Sequence, residues 1–430
     1  MLMDINEDMK KNIWLWNHYA TNMYFDQGGR HYWLAKYLIK DGYDATVFCA
    51  NTKHNSDEII DTEGKKYIIK ETNGIPFVFV KTSPYKGNGI SRVRNMLRFA
   101  INLCSMSKRY ANENDMPDVI LASSVHPLTL VAGICAAKRL KVPCICEVRD
   151  LWPETLVAYG SIKKNSLISK ILYAGEKWIY KKADRLIFTM EGGKDYIIEK
   201  GWDKDSGGPI DLSKVFHISN GVDLEAFDYD KEHYQIDHED LTGDEFRVVY
   251  TGSLRKWNSS IWDLIHAGKL IEEKTEQNVI FLIYGSGDEL KKMATYCEDN
   301  GIGNVKFKGG IAKKYIPFIL SSCNLNILNC SANEIMRFGG SQNKLFEYLA
   351  SGNPIISGEE SQYSIINKYG LGISKQFENV QELANTILEI KKDMEQGSTY
   401  TKEEILDVSG LFDYNVLTNT LIQIICELCG

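Results

Sequence analysis

The sequence predicts an α/β protein built from two doubly wound, Rossmann-like domains. Three observations point there: a length of 430 residues, apolar strand-like runs that alternate with helical segments, and glycine-rich turns where several runs end. Parallel strands covered on both faces read as near-continuous β-branched and aromatic runs. The length suits two α/β domains of roughly 200 residues each.

In chain order, the strand runs of the first half are NIWLW, ATVFCA, PFVFVK, DVILASS, CICEV, RLIFTM and VFHIS. Helical stretches lie between them, such as RHYWLAKYLIKDG, which closes on a helix-stopping glycine. The second half repeats the rhythm with FRVVYTG, VIFLIYG, VKFKG, LNILN and PIISG. A single domain holding all of these strands is implausible. The expected junction is HISNGVD, with a first domain over 1–217 and a second over 218–411.

Composition excludes several classes. Hydrophobic residues make up 44% and charged residues 25% of the chain, the balance of a soluble globular protein. No run approaches the ~20 apolar residues of a membrane span. The start, MLMDINEDMKKNIWLW, lacks the basic opening and small-residue cleavage site of a signal peptide, so a cytoplasmic location is expected. Most of the ten cysteines sit in apolar runs and read as small hydrophobes, and the isolated Cys426-x-x-Cys429 pair is a weak metal or redox signal.

Charge is unevenly spread. Residues 1–210 carry 30 Lys+Arg against 24 Asp+Glu, and the remaining 220 carry 20 against 33. The segment Thr72–Asn112 holds Lys81, Lys86, Arg92, Arg94, Arg98, Lys108 and Arg109 and no acid. Within it SRVRNMLRFAINLCSMSKRY reads as an amphipathic helix, with Val93, Met96, Leu97, Ala100, Ile101 and Leu103 as its apolar residues. Cations mixed with such a face suit an anionic membrane surface.

Six motifs fall near expected strand ends, where ligands collect in open parallel sheets. Gly28-Gly29-Arg30 opens the first helix, where glycine admits a close ligand and the helix terminus favours negative charge. It is not GxGxxG, which weakens a dinucleotide reading. His126 follows DVILASS and can hydrogen-bond a hydroxyl without being charged. Arg149, Asp150, Trp152 and Glu154 follow CICEV and suit a hydroxylated acceptor, or else an ion pair fixing a loop. Ser253, Arg255 and Lys256 follow FRVVYTG and suit a diphosphate. Gly285 and Gly287 form a tight turn after VIFLIYG, by itself a weak signal. The strongest block runs from Arg337 to Pro354. Gly339 and Gly340 lead into a short helix expected to begin near Ser341, whose free N–H groups suit a phosphate, with Lys344 in its first turn and Glu347 placed for ribose hydroxyls. Asp203-Lys204-Asp205 and Asp228-Tyr229-Asp230 match a metal–diphosphate pattern, but read as solvated linker loops.

Assembled, these residues resemble the family 4 retaining glycosyltransferases of the GT-B fold. The resemblance is carried by Gly28-Gly29-Arg30, by Asp150 through Glu154, by Asn220 through Asp223, by Gly252 through Lys256, by Tyr284 through Gly287, and above all by KLFEYLASGNP from Lys344 to Pro354. DLWPE with KLFEYLASGNP is similar to the subgroup that builds O-antigen and capsule, often on polyprenyl-linked acceptors. The resemblance implies a UDP-sugar held mainly by the second domain without metal or cofactor, a saccharide or polyprenyl-linked acceptor on the first domain, and a final helix over about 412–430 crossing back to the first. It implies Lys256 on the diphosphate, Glu347 on the ribose, amides around Gly340 and Ser341 on phosphate, and His126 beside the donor sugar. His126, Lys256 and Asp150 are then the expected catalytic residues, and Gly28, Gly29, Ser253, Arg255, Gly285, Gly287, Gly339 and Lys344 complete the donor set. One position departs from the family motif: eight residues before Glu347, where the family has a glutamate, stands Gly339. No nucleic-acid partner is expected, and the enzyme is expected at the inner face of a membrane. Competing readings are a UDP-sugar 2-epimerase, which needs no acceptor, and a non-catalytic nucleotide-sugar-binding subunit.

Overall fold

The computed structural model describes residues 10–54, 56, 58–87, 89–124, 126–255, 260–274, 278–330, 334–397 and 399–429. The chain divides into one compact unit of Met1–Ser219 with Tyr414–Gly430, and another of Asn220–Asp413. Each division falls two residues later than the expected boundary.

The first unit runs β1 (Asn12–Asn17), α1 (Thr21–Asp26), α2 (Arg30–Lys40), β2 (Asp44–Ala50), β3 (Tyr67–Thr72), β4 (Ile75–Val80), α3 (Ile90–Glu113), β5 (Val119–Ser124), α4 (Pro127–Leu140), β6 (Cys144–Val148), α5 (Glu154–Ala158), α6 (Leu167–Lys182), β7 (Arg185–Phe188), α7 (Gly193–Glu199) and β8 (Val215–His217). The second runs α8 (Leu224–His233), β9 (Phe246–Thr251), α9 (Ser260–Lys274), β10 (Val279–Tyr284), α10 (Leu290–Asp299), β11 (Val305–Gly309), α11 (Ile316–Ser321), β12 (Leu325–Asn329), α12 (Asn343–Ser351), β13 (Ile355–Ser357), α13 (Ile365–Tyr369), β14 (Gly372–Ser374), α14 (Val380–Glu395) and α15 (Lys402–Gly410). The last helix, α16 (Tyr414–Cys429), belongs to the first unit.

The first sheet has the order β3-β4-β2-β1-β5-β6-β7-β8. Only β3 is antiparallel, pairing with β4 from Tyr67–Val80 to Thr72–Ile75. β1 explains why its sequence shows no polar alternation. Ile13 and Leu15 pack with Leu34 and Leu38 of α2 and Leu421 and Ile425 of α16. Trp14, on the opposite face, meets Phe48 at 5.1 Å and Tyr110 of α3 at 5.2 Å between ring centroids. Both faces are therefore apolar. The second sheet is parallel throughout, in the order β11-β10-β9-β12-β13-β14.

All twelve expected runs are strands, and two strands were not expected. β3 is a polar edge strand with exposed Lys70 and Glu71, and β14 is a three-residue edge. Three further expectations are corrected. A short helix, α1, separates β1 from the Gly28-Gly29 turn. α12 begins at Asn343, because Gly339 adopts a left-handed φ of 91° and Gln342 is extended, delaying the helix. The Asp-x-Asp pairs are not solvated loops: Asp228 and Asp230 lie within α8, and buried Asp203 accepts from the Ser206 amide at 2.8 Å. Among the described residues no helix is long and apolar enough to cross a membrane.

Candidate functional site

In the second sheet the strand order reverses at β9, with β10 and β11 on one side and β12 to β14 on the other. Such a reversal leaves a crevice beyond the C-terminal strand ends, where α/β proteins bind ligands. Residues 252–255 after β9 and the loop that leads into α12 border this point, as does the turn after β13.

Lys344 lies at the centre of the reversal. From the first turn of α12 its ammonium donates to the carbonyl of Leu328 in β12 and sits 4.3 Å from the Tyr250 ring of β9. Burial pushes its pKa down to about 7, opposed by neighbouring Cys330 and Glu359. A lysine held this way gains most from an anion, since desolvation disfavours its charge and a fixed negative partner restores it. The N-terminus of α12, from which Lys344 extends, favours the same charge.

The loop before α12 is pinned from a residue that the sequence did not single out as a ligand. Asn220 donates through its backbone N–H to Ser341 Oγ at 2.7 Å and through Nδ2 to the Ser341 carbonyl at 2.6 Å. The Ser341 hydroxyl oxygen thus already accepts an internal hydrogen bond. Glu347, on the same helix, pairs with Lys313 at 3.2 Å. Gly285 and Gly287 have a packing reason of their own. A Cβ at either would fall 1.8 Å from the Gly252 carbonyl oxygen or 2.0 Å from that of Leu254. The two loops are tied by the bonds Gly252 N to Tyr284 O (2.9 Å) and Leu254 N to Ser286 O (3.0 Å). This close approach needs glycine whether or not a ligand is present. Ser253 is part-buried and Arg255 exposed beside the crevice, whereas Lys256 lies outside the described residues.

In the first unit, Gly28 and Gly29 precede α2, and Gly29 has a φ of 100° as its N-cap. The next residue, Arg30, is not a ligand-facing cation. It is fully buried, pairs with Glu147 at 2.7 Å and donates to the carbonyls of Ile218 and Ser219. Glu147 also accepts from Ser123 Oγ at 2.6 Å and lies 3.1 Å from His31 Nε2. Arg30 and His31 hold its carboxyl well below the usual range against the desolvation of burial.

The His126 ring is buried at its strand end, with no hydrogen-bond partner for Nδ1 among the described residues. It is 1% exposed, and its Nε2 lies 2.8 Å from His18 Nδ1. Burial lowers its pKa to about 3, so the ring is neutral at pH 7. Glu154 is likewise withdrawn: it pairs with Lys200 at 2.5 Å and accepts from Tyr173 Oη at 2.7 Å, which makes it a buried anchor rather than an acceptor ligand. Arg149 is part-buried and its amide donates to Ser124 Oγ at 3.1 Å. Asp150 and Trp152 do come together, lining a small cavity with Ser124, Pro127 and Glu176. On the outer surface of this unit α3 exposes Ile90, Val93, Leu97 and Ile101, with Arg94 and Arg98 between them. α6 exposes Leu167, Ile168 and Ile171 beside Lys163, Lys164 and Lys170. Met96 and Leu103, read as part of the apolar face of α3, are buried in the core, and Arg92 donates to Tyr19 Oη at 2.9 Å.

Two family models together span most of this architecture. The model of glycosyltransferase family 4 matches residues 32–226, and that of the glycosyl transferases group 1 matches 245–393. The chain is a glycosyltransferase of the family 4 and group 1 type. A relative, the probable glycosyltransferase WbjE of Pseudomonas aeruginosa, is 21% identical over 295 residues, covering 66% of this chain and 67% of its own. Solved structures share the fold at low identity. Anabaena HepE, solved in complex with UDP and glucose, superposes with a TM-score of 0.63 at 15% identity, covering 97% of this chain and 100% of its own. WaaG, a glycosyltransferase involved in lipopolysaccharide biosynthesis, gives 0.60 at 12% identity over 96% and 99% of the two chains. Trehalose 6-phosphate synthase of Burkholderia multivorans gives 0.66 at 14% over 97% and 99%. The glycosyltransferase therefore has the GT-B fold of two Rossmann-like units.

Sequence reasoning about this glycosyltransferase missed Asn220 as the clamp on Ser341, the Arg30–Glu147 pair and Glu359. In the sequence Asn220 is marked only by its place in the Asn220–Asp223 motif. Glu359 carries only a weak sequence signal, as the first carboxylate after the apolar run PIISG and directly beside a second one, Glu360.

Proposed function

We propose that the enzyme transfers a sugar from a UDP-sugar, with retention and without metal, to a hydroxyl of a polyprenyl-linked saccharide in surface polysaccharide synthesis. The observation that carries the donor half is Lys344, a partly buried lysine at the sheet reversal, at the N-terminus of α12 and behind a glycine loop. In the reaction the bond between the anomeric carbon and the β-phosphate oxygen breaks, and its electron pair stays on UDP. The acceptor oxygen bonds to the anomeric carbon, and its proton passes to the departing phosphate or to solvent. Lys344, Arg255, Lys256 and the α12 amides would stabilise the charge developing on the diphosphate, the kind of electrostatic term that often dominates catalysis. Glu347 would exchange Lys313 for the ribose hydroxyls.

The acceptor half rests on different support. Asp150 and Trp152 border one cavity at a C-terminal strand edge of the first unit, where a hydroxylated acceptor would meet a carboxylate and an indole. Exposed apolar residues of α3 and α6, set among arginines and lysines, suit a surface that rests on anionic headgroups and meets a lipid-linked acceptor there. Relatives concerned with lipopolysaccharide fit the same setting.

The test is a thermal-shift titration with UDP and UDP-sugars. UDP should raise the midpoint with EDTA present, as a ligand of the native state must. A shift abolished by EDTA would refute the metal-independent reading. Absence of any shift up to millimolar UDP would refute the donor.

A further inference from the structure

Glu359 follows β13 and is buried, with 8% of its surface exposed. Its backbone is fixed on both sides: its N–H donates to Ser357 Oγ at 3.3 Å, and its carbonyl accepts from Ser374 Oγ at 2.7 Å. The carboxylate has no hydrogen-bond partner among the described residues, and Oε1 is wholly enclosed. It lies against the loop that leads into α12, for a Cβ placed on Gly340 would be 3.2 Å from Oε2 and 3.3 Å from Oε1. Gly340 therefore leaves room for a carboxylate that nothing among the described residues satisfies. Buried polar groups are otherwise hydrogen-bonded, because an unpaired one keeps the full cost of its desolvation.

The chemistry of the surroundings selects what would satisfy it. A phosphate is repelled by a carboxylate, and an apolar group leaves it unpaired. Hydroxyl groups donate to it at no electrostatic cost. Lys344 and the α12 N-terminus, which favour the anionic part of a ligand, lie on the same loop–helix element. A ligand with an anionic diphosphate and an adjoining neutral polyol meets both demands at once.

We infer that Glu359 is the residue that reads the hydroxyls of the transferred sugar, doing from the turn after β13 what Gly339 has no side chain to do from the loop before α12. The inference rests on the donor reading above and adds a specificity-determining carboxylate to it. Burial raises the pKa of Glu359 to about 7, with Lys344 acting against the rise. Sugar hydroxyls donating to the ionised form would lower it again, so binding and ionisation support one another.

The full-length protein is titrated by calorimetry with UDP and with UDP-glucose, UDP-galactose, UDP-N-acetylglucosamine and UDP-N-acetylgalactosamine, as wild type, Glu359→Gln and Glu359→Asp. Glu359→Gln and Glu359→Asp should bind UDP within about twofold of wild type. They should lose roughly tenfold for the UDP-sugar that wild type prefers, as expected when a charged hydrogen-bond acceptor is removed or withdrawn. Discrimination among the four sugars should narrow accordingly. Circular dichroism and the melting midpoint verify folding, and Glu359→Asp keeps the charge should the amide disturb the turn. Equal losses for UDP and UDP-sugar, or unchanged sugar discrimination in folded variants, would overturn the inference alone. Failure of wild type to bind UDP would overturn the donor reading and the inference with it.

Discussion

Lys344→Met offers the sharpest test of how the donor crevice works, because it predicts opposite signs for stability and for binding. The wild-type lysine has its pKa lowered from 10.5 to about 7. At ~1.4 kcal/mol per pH unit that displacement corresponds to about 5 kcal/mol of differential cost for the charged form. The sign follows from linkage. Between pH 7 and 10.5 the unfolded chain binds a proton that the folded chain does not, so stability rises with pH across that window. The cost is fully present below the folded pKa and gone above the unfolded one. Methionine fills a similar volume without charge, so the variant should be more stable than wild type at pH 6 by a few kcal/mol, with the difference vanishing near pH 10.5. Binding should run the other way. A diphosphate that needs the ammonium must recharge Lys344, so at pH 8.5, where UDP itself is fully ionised, wild type should take up close to one proton per UDP bound. Affinity should weaken about tenfold per pH unit above 7. Calorimetry in buffers of different ionisation enthalpy measures the uptake directly, and denaturant melts at pH 6 and 10 measure the stability. Wild-type UDP affinity in Lys344→Met, or an uptake of zero at pH 8.5, would refute the reasoning.

Glu347→Gln should weaken UDP binding by about 1–3 kcal/mol, the range for a charged hydrogen-bonding partner, while Lys313→Ala, which releases Glu347, should leave UDP affinity unchanged or improve it; equal calorimetric affinities of Glu347→Gln and wild type would remove the ribose role. Sedimentation with anionic vesicles should fall as salt rises, as screening requires, and should be lost in the triple variant Arg94→Gln, Arg98→Gln, Lys170→Gln without a change in UDP affinity. Equal sedimentation with neutral and anionic vesicles would count against the lipid surface.

The fold was legible because its strands are covered on both faces. Trp14 and Ile13 point to opposite layers and are both fully buried, so between Asn12 and Asn17 the β1 run carries no polar residue that could blur it. β3 escaped for the converse reason: as an exposed antiparallel edge it reads YIIKET, with polar residues where a central strand would be apolar. Of the site, the glycine loop, Lys344 and Glu347 could be placed because helix termini and glycine turns leave local signals. The fates of Arg30, His126 and Glu154 could not. Each carries a group that suits a ligand, and each meets a partner distant in sequence, Glu147, His18 and Lys200 respectively, although His126 keeps a buried Nδ1 without a hydrogen bond among the described residues. Sequence shows which residues bear chemistry, whereas only tertiary contacts show which of them remain unspent.

That distinction separates two sets of buried charge in this protein. Around Arg30 the network closes on itself. Glu147 receives Arg30, His31 and Ser123, and Arg30 reaches two carbonyls as well as the carboxylate. Those partners keep both charges in place, with Glu147 well below the usual carboxylate range and Arg30 above its own. Removing either Arg30 or Glu147 would strand a buried charge at a cost of about 3–5 kcal/mol. Around the reversal of the second sheet the accounts stay open. Among the described residues Lys344 has one carbonyl and a ring face, and Glu359 has no hydrogen bond to its carboxylate. Both are driven toward neutrality, each to about 7. The proposed ligand would bring to this crevice the kinds of partner that Arg30 and Glu147 find within the protein, an anion for Lys344 and hydroxyls for Glu359.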